Sequence, residues 1–227
     1  MSESAISKSG SGSLIAVALA LGLLAAVAGV WLGSGIFSGH RGPDPSTMQV
    51  ATLLPTPKPL ARFELVDQDA RPYGTEDLKG RWTFIAIGYT SCPDVCPTTM
   101  ATFDALHRRL TGEGGEPPAD FLLVSVDPER DGPERLAQYV RYFNPDLLGA
   151  TGTHEQLRAL TDQLGMIYAR VDEQETAMSY LVDHSASILL LDPQVRLTAI
   201  FSVPHDVSAM AGDFSAIAGN VQNIIPP

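Results

Sequence analysis

The chain holds only two cysteines, and three residues separate them in Tyr89-Thr90-Ser91-Cys92-Pro93-Asp94-Val95-Cys96-Pro97. Thiols this close staple no distant segments, so they point to local chemistry: a metal ion, a redox couple, or both. A purely structural bridge closing so small a loop would constrain little of the unfolded chain. Each cysteine precedes a proline, which pushes it out of the right-handed helical region. The pattern therefore predicts a tight loop followed by a helix from about Pro97, with Cys96 near its cap and Cys92 earlier. Unpaired backbone N–H groups and the positive end of a helix dipole there stabilise a thiolate, the form that binds metal and attacks disulfides. Soft thiolates favour Cu(I) or zinc over hard cations. Thioredoxin-type redox motifs space their cysteines by two residues. The extra residue here also lets two sulfurs face one ion.

Two thiolates leave a coordination position open, and five histidines are available to fill it. His40 lies in a Pro- and Ser-rich stretch, His107 beside Arg108 and Arg109 on what reads as a solvated helix face, and His154 in the first turn of a helix. His205 follows a strand end, and its flanks give no support for a ligand role. His184, in Tyr180-Leu181-Val182-Asp183-His184-Ser185, precedes an apolar strand, with Asp183 placed to orient its surroundings. In a thioredoxin fold the loop entering that strand abuts the cysteine loop, but a lone loop histidine is usually a polar surface residue. On the residues alone, both readings of His184 stay open.

The elements that must position these residues can be read from hydrophobic periodicity. Strands are expected at 61–66, 82–89, 121–126, 166–171, 187–191 and 197–202. The 121–126 and 187–191 runs are apolar on both faces, as central strands covered by helices are. Helices are expected over 97–110, over 133–143 with Asp131 or Gly132 as cap, from Thr153 with its Gln156 capping-box partner, and from Asp206 onward. The alternation predicts an α/β domain with a mixed central sheet flanked by helices, most economically a thioredoxin-like fold.

The formal net charge of −11, without a basic stripe, argues against nucleic acid as a partner. Residues 14–37 carry no charged side chain and meet the roughly 20 apolar residues that a membrane-crossing helix needs. A cleaved secretory signal ending near Ala26-Val27-Ala28 is the rival reading. The expected organisation is a short cytoplasmic leader at 1–13, one transmembrane helix at 14–37, a Pro/Ser/Thr-rich spacer at 38–59 and a folded domain at 60–227. A leader this short holds no domain, so the folded part follows the anchor. With no Arg-rich import leader, a bacterial plasma membrane with an extracytoplasmic domain is the expected setting.

Three segments in order, YTSCPDVCPTTM at 89–100, VSVDPERDGPERL at 124–136 and VDHSASILLLDP at 182–193, resemble the Sco/SenC copper chaperones of cytochrome c oxidase assembly. With the apolar segment and spacer, the resemblance runs through essentially the whole chain from residue 14. It implies a thioredoxin-like fold and a copper ion held by Cys92, Cys96 and His184. It also implies copper delivery to, or thiol reduction in, the dinuclear copper centre of an oxidase subunit. A redox-active Cys92–Cys96 disulfide, Cu(I) bound after its reduction, Cu(II) bound with an added ligand, and a thiol reductant as partner complete that expectation. Asp127 to Asp131 look like a further family motif and are read as a strand-to-helix turn with a capping aspartate. A membrane-anchored thiol-disulfide oxidoreductase is the alternative function. A peroxiredoxin would need Pro at 85 and Thr at 89, where this chain has Ile85 and Tyr89.

Overall fold

In a computed structural model, the described residues are 44–112, 115–172 and 180–222, with 19 and 21–23 near the amino terminus. Pro43–Asn223 forms one compact unit. Among the described residues ten strands are present: β1 Ala51–Pro59, β2 Glu64–Asp67, β3 Pro72–Gly74, β4 Trp82–Gly88, β5 Ala119–Ser125, β6 Leu148–Thr151, β7 Tyr168–Asp172, β8 Tyr180–His184, β9 Ile188–Leu191 and β10 Arg196–Phe201. The α-helices that accompany them in this unit are α1 Val95–Thr111, α2 Pro133–Phe143, α3 His154–Leu164 and α4 Val207–Gln222.

Eight strands form one sheet in the order β1-β10-β9-β4-β5-β6-β2-β3, and β7 pairs with β8 in a separate ribbon. β4, β5 and β6 run parallel, and the other pairings are antiparallel. This is the mixed sheet flanked by helices that the sequence predicts. β4 is buried along its whole length and divides the core by the two-residue period of a strand. Ile85 and Ile87 point into a cluster with Leu157, Leu160 and Val182, under α3 and β8. Trp82, Phe84 and Ala86 point into the other, with Phe103 of α1, Val140 of α2 and Phe214 of α4. Phe84 stacks on Phe121 of β5 at 5.2 Å, and burying each such ring contributes about 1.5–3 kcal/mol.

The helices begin where capping chemistry starts them. Thr153 and Gln156 form the expected capping box on α3, and Asp206 accepts from the backbone of Ala209 at the head of α4. Gly132 caps α2. α1 starts at Val95, two residues before the expected position. Pro97 fits in that first turn because its missing N–H would have had no partner in the helix.

Several expectations need correction. Residues 51–59, read as spacer, form edge strand β1, which pairs with β10. Asp213 of α4 clamps its start, accepting from the backbone N–H groups of Gln49, Val50 and Ala51 at 2.8–3.0 Å. Pro55 and Pro57 are tolerated there because an edge strand has one row of unpaired N–H positions. The short strands β3, β6 and β8 are absent from the sequence reading. His107 is buried rather than solvated, near Asn144 at 3.3 Å and edge-on to Phe121. The leader, nearly all of the expected anchor, and His40 lie outside the described residues. Among the described residues no helix is long and apolar enough to cross a membrane.

Candidate metal centre

The cysteine loop leaves the end of β4, and β9 lies antiparallel beside β4 with Ile85 opposite Leu189. The segment joining β8 to β9 therefore arrives where β4 ends, bringing His184 against the cysteines. Cys92 Sγ, Cys96 Sγ and a nitrogen of His184 lie within 4.8 Å of one another. His184 Nε2 is 3.3 Å from Cys96 Sγ, and its Nδ1 lies 3.0 Å from the carbonyl of Ser185. A proton on Nδ1, donated to that carbonyl, leaves the Nε2 lone pair facing the sulfurs, the tautomer a metal ligand needs. The Tyr89 ring meets the imidazole edge-on at 6.0 Å, and the Tyr89 hydroxyl accepts from the backbone N–H of Val182 on β8. Asp183 is exposed, and it is the Ser185 carbonyl that lies against the ring.

The two thiols are not equivalent. Cys92 is half-buried and Cys96 is buried. Burial opposes ionisation of Cys92. The backbone N–H groups of Asp94 and Cys96, the Cys96 thiol and the Val95 N–H outweigh it and lower the Cys92 pKa below its ordinary value. The Cys96 N–H lies 3.4 Å from Cys92 Sγ. At Cys96 burial dominates and pushes the thiol well up. The Tyr89 N–H at 3.5 Å opposes this, while Cys92 and the Asp131 carboxylate add to it. The helix start thus activates one thiol of the pair, and a bound cation would offset the penalty on the other. Gly88 lets Cys96 Sγ pack close against the end of β4, since a Cβ there would meet the sulfur at 2.8 Å.

Of the five histidines, only His184 is grouped with the cysteines among the described residues. His154 contacts Glu129 at 2.9 Å and Tyr168 at 3.3 Å, and His205 lies against the Phe201 carbonyl. The sequence reading missed the part played by Asp131. Its carboxylate makes no cap bond to α2 and instead binds Thr90 and Ser125, with every bond under 2.8 Å. Thr90 lies inside the cysteine motif, so the Asp127–Asp131 motif carried a signal, but its partners are distant in sequence. In the sequence Tyr180 stands only as a flank of His184. A cavity of about 360 Å³ borders the imidazole, lined by Ile167, Tyr168, Ala169, Asp183, His184 and Ser185.

Two sulfurs and an imidazole nitrogen, the sulfurs beside a helix start, form a donor set suited to a soft or borderline ion. Residues 53–219 match the SCO1/SenC family. The chain belongs to the SCO1/SenC family. It is 31% identical over 182 residues to an SCO2-like protein of Rickettsia felis, covering 79% of this chain and 85% of that one. ScoI of Bradyrhizobium japonicum, solved with copper bound, superposes with a TM-score of 0.62 at 30% identity, over 70% of this chain and 99% of that chain. ScoI of Arabidopsis thaliana, also solved with copper bound, gives 0.64 at 28% identity, over 72% and 98%. The fold is thioredoxin-like, as these Sco structures are.

Proposed function

We propose that this Sco-family protein binds one copper ion through Cys92 Sγ, Cys96 Sγ and His184 Nε2 and hands it to the dinuclear copper site of a cytochrome c oxidase subunit. The convergence of those three ligand atoms within 4.8 Å carries the reading. Two thiolates and one imidazole suit Cu(I) in a near-trigonal site, and an added oxygen or nitrogen ligand accommodates Cu(II). Ligation requires both sulfurs reduced and deprotonated, so a Cys92–Cys96 disulfide blocks loading and a thiol reductant permits it. Cys92 is the more accessible sulfur, and an acceptor's thiolate replaces ligands there first. The apolar segment 14–37 supports a single-pass anchor in a bacterial plasma membrane, holding the domain on the extracytoplasmic side.

The test is an anaerobic Cu(I) titration of the reduced full chain in detergent, against a chromogenic Cu(I) chelator. One copper per chain is expected, weakened at least about tenfold by His184→Ala and unchanged by His107→Ala. Equal effects of the two substitutions would refute the ligand set.

The inequality of the thiols favours a second reading, reduction of an acceptor disulfide. The Cys92 thiolate attacks one acceptor sulfur, forming a mixed disulfide and releasing the other as a thiolate. Cys96 then attacks the Cys92 sulfur, releases the second acceptor thiol, and leaves a Cys92–Cys96 disulfide that holds the two electron equivalents' worth of oxidation. Turnover of a dithiol couple that persists in His184→Ala would identify this activity.

A further inference from the structure

The segment from Asp127 to Asp131, between β5 and α2, grips both halves of the donor set with different side chains. Asp131 is wholly buried and accepts from the Thr90 backbone N–H at 2.7 Å, the Thr90 hydroxyl at 2.6 Å and the Ser125 hydroxyl at 2.6 Å. Arg135 Nε donates to the same Thr90 hydroxyl at 3.1 Å. Thr90 opens the turn that carries Cys92. Asp127, also buried, accepts from the Tyr180 hydroxyl at 2.5 Å and is paired with Arg130. The Arg130 guanidinium lies 3.7 Å over the Tyr180 ring and donates to the Tyr180 carbonyl at 3.1 Å. Tyr180 begins β8, and His184 ends it.

A strand-to-helix turn requires none of this. Gly132 already caps α2, and two buried carboxylates cost free energy unless every oxygen is engaged. Besides Ser125 of β5 and Arg130 of the same turn, the engaged partners are Thr90 of the cysteine loop and Tyr180 of β8, one on each element bearing the ligands. We propose that Asp127–Asp131 is a bracket that sets the separation of the sulfurs from the imidazole, with Asp131 positioning the cysteine loop and the Asp127–Arg130 pair positioning β8. These are positioning residues that act through Thr90 and Tyr180. The inference rests on the copper reading for its purpose, but its geometry can be tested without copper.

Two arms on separate side chains make two separable effects. The cysteine arm governs how readily the two sulfurs reach bonding distance, hence the dithiol–disulfide equilibrium. The β8 arm governs where the imidazole sits. Copper(I) takes both thiolates and the imidazole, and the Cu(II) spectrum responds more sharply to where the nitrogen ligand sits.

The experiment uses the full chain in detergent with Asp131→Asn, Tyr180→Phe and Asp127→Asn. Three quantities are measured: the dithiol–disulfide equilibrium constant against glutathione, the imidazole nitrogen NMR signals of His184 in metal-free protein, and the thermal unfolding midpoint. Asp131→Asn is expected to change the equilibrium constant by about tenfold and leave the His184 signals in place. Tyr180→Phe and Asp127→Asn are expected to move the His184 signals and leave that constant within about twofold. In copper-loaded protein the same two should shift the Cu(II) electron paramagnetic resonance spectrum while Cu(I) stoichiometry stays at one. Lowered melting with both site readouts at wild-type values, or both readouts moving together in every variant, would overturn the bracket. A wild-type chain that takes up no copper but shows the crossed pattern would sink the copper reading and leave the bracket standing.

Discussion

At the scale of single residues, the inequality of Cys92 and Cys96 has the most direct chemical consequence. Cys92 is part exposed, with its pKa lowered by backbone N–H groups, while burial raises that of Cys96. In reduced, metal-free protein, iodoacetamide should therefore label Cys92 roughly ten times faster than Cys96, read by peptide mass spectrometry. Because the shift at Cys92 is downward, its labelling rate should climb and level off at a lower pH than that of a free thiol. Preferential labelling of Cys96 would contradict the geometry. His107 tests the opposite case. It sits buried on the face of α1 that packs against Phe121, with Asp146 Oδ2 3.5 Å from its Nε2. His107→Ala should lower stability by about 2–3 kcal/mol in urea unfolding and leave copper affinity untouched.

At the scale of elements, the site depends on how closely the end of β4 approaches the start of α1. Gly88 ends β4, and an added methyl would meet Cys96 Sγ at 2.8 Å and Leu123 Cδ1 at 3.2 Å. Gly88→Ala should displace the Cys96 sulfur, weaken Cu(I) binding about tenfold and lower the melting temperature by several degrees. Chelator competition and calorimetry would check the two effects, and wild-type affinity would show that the sulfur has room to move. Strand β1 offers a contrast far from the ligands. Asp213 accepts from three consecutive backbone N–H groups at its entry. Asp213→Ala should cost about 2 kcal/mol, consistent with charge-assisted bonds, and should expose the Gln49–Ala51 amides to hydrogen exchange. Copper binding should not change.

At the scale of the whole molecule, the folded unit reaches back to residue 43, well before the boundary at 60 that the Pro/Ser/Thr-rich composition suggested. A chain beginning at residue 60 would lose β1 and uncover the edge of β10. It should aggregate or unfold at lower urea than a chain beginning at residue 44, compared by size-exclusion chromatography and denaturation. Equal stability would show that β1 is dispensable. The proposed anchor is tested separately, by whether the full chain partitions with membranes that the chain from 44 does not bind.

Much of this protein was legible in its residues, because some signals are local. The apolar runs of β4, β5, β9 and β10, the capping box at Thr153, the start of α2 at Pro133 and the paired cysteines are each fixed by neighbours a few positions apart. The short strands β3, β6 and β8, by contrast, hold three to five residues, too few to show a clear period, and β6 pairs with β2 some 85 positions back. β1 reads as spacer because its prolines mask an edge strand whose partner is β10. His107 reads as solvated because its charged neighbours say nothing of Phe121 or Asn144. His184 could be chosen among five histidines only through family resemblance, since its partner sulfur lies 88 positions away and the antiparallel pairing of β9 with β4 brings them together. The same holds for Asp131, whose sequence context offers a helix cap while the folded sheet offers Thr90. The sequence by itself determined which chemical groups are present and which local elements carry them. Only the tertiary structure decided which of those groups meet, because contact between distant residues depends on strand order and register that no local pattern encodes.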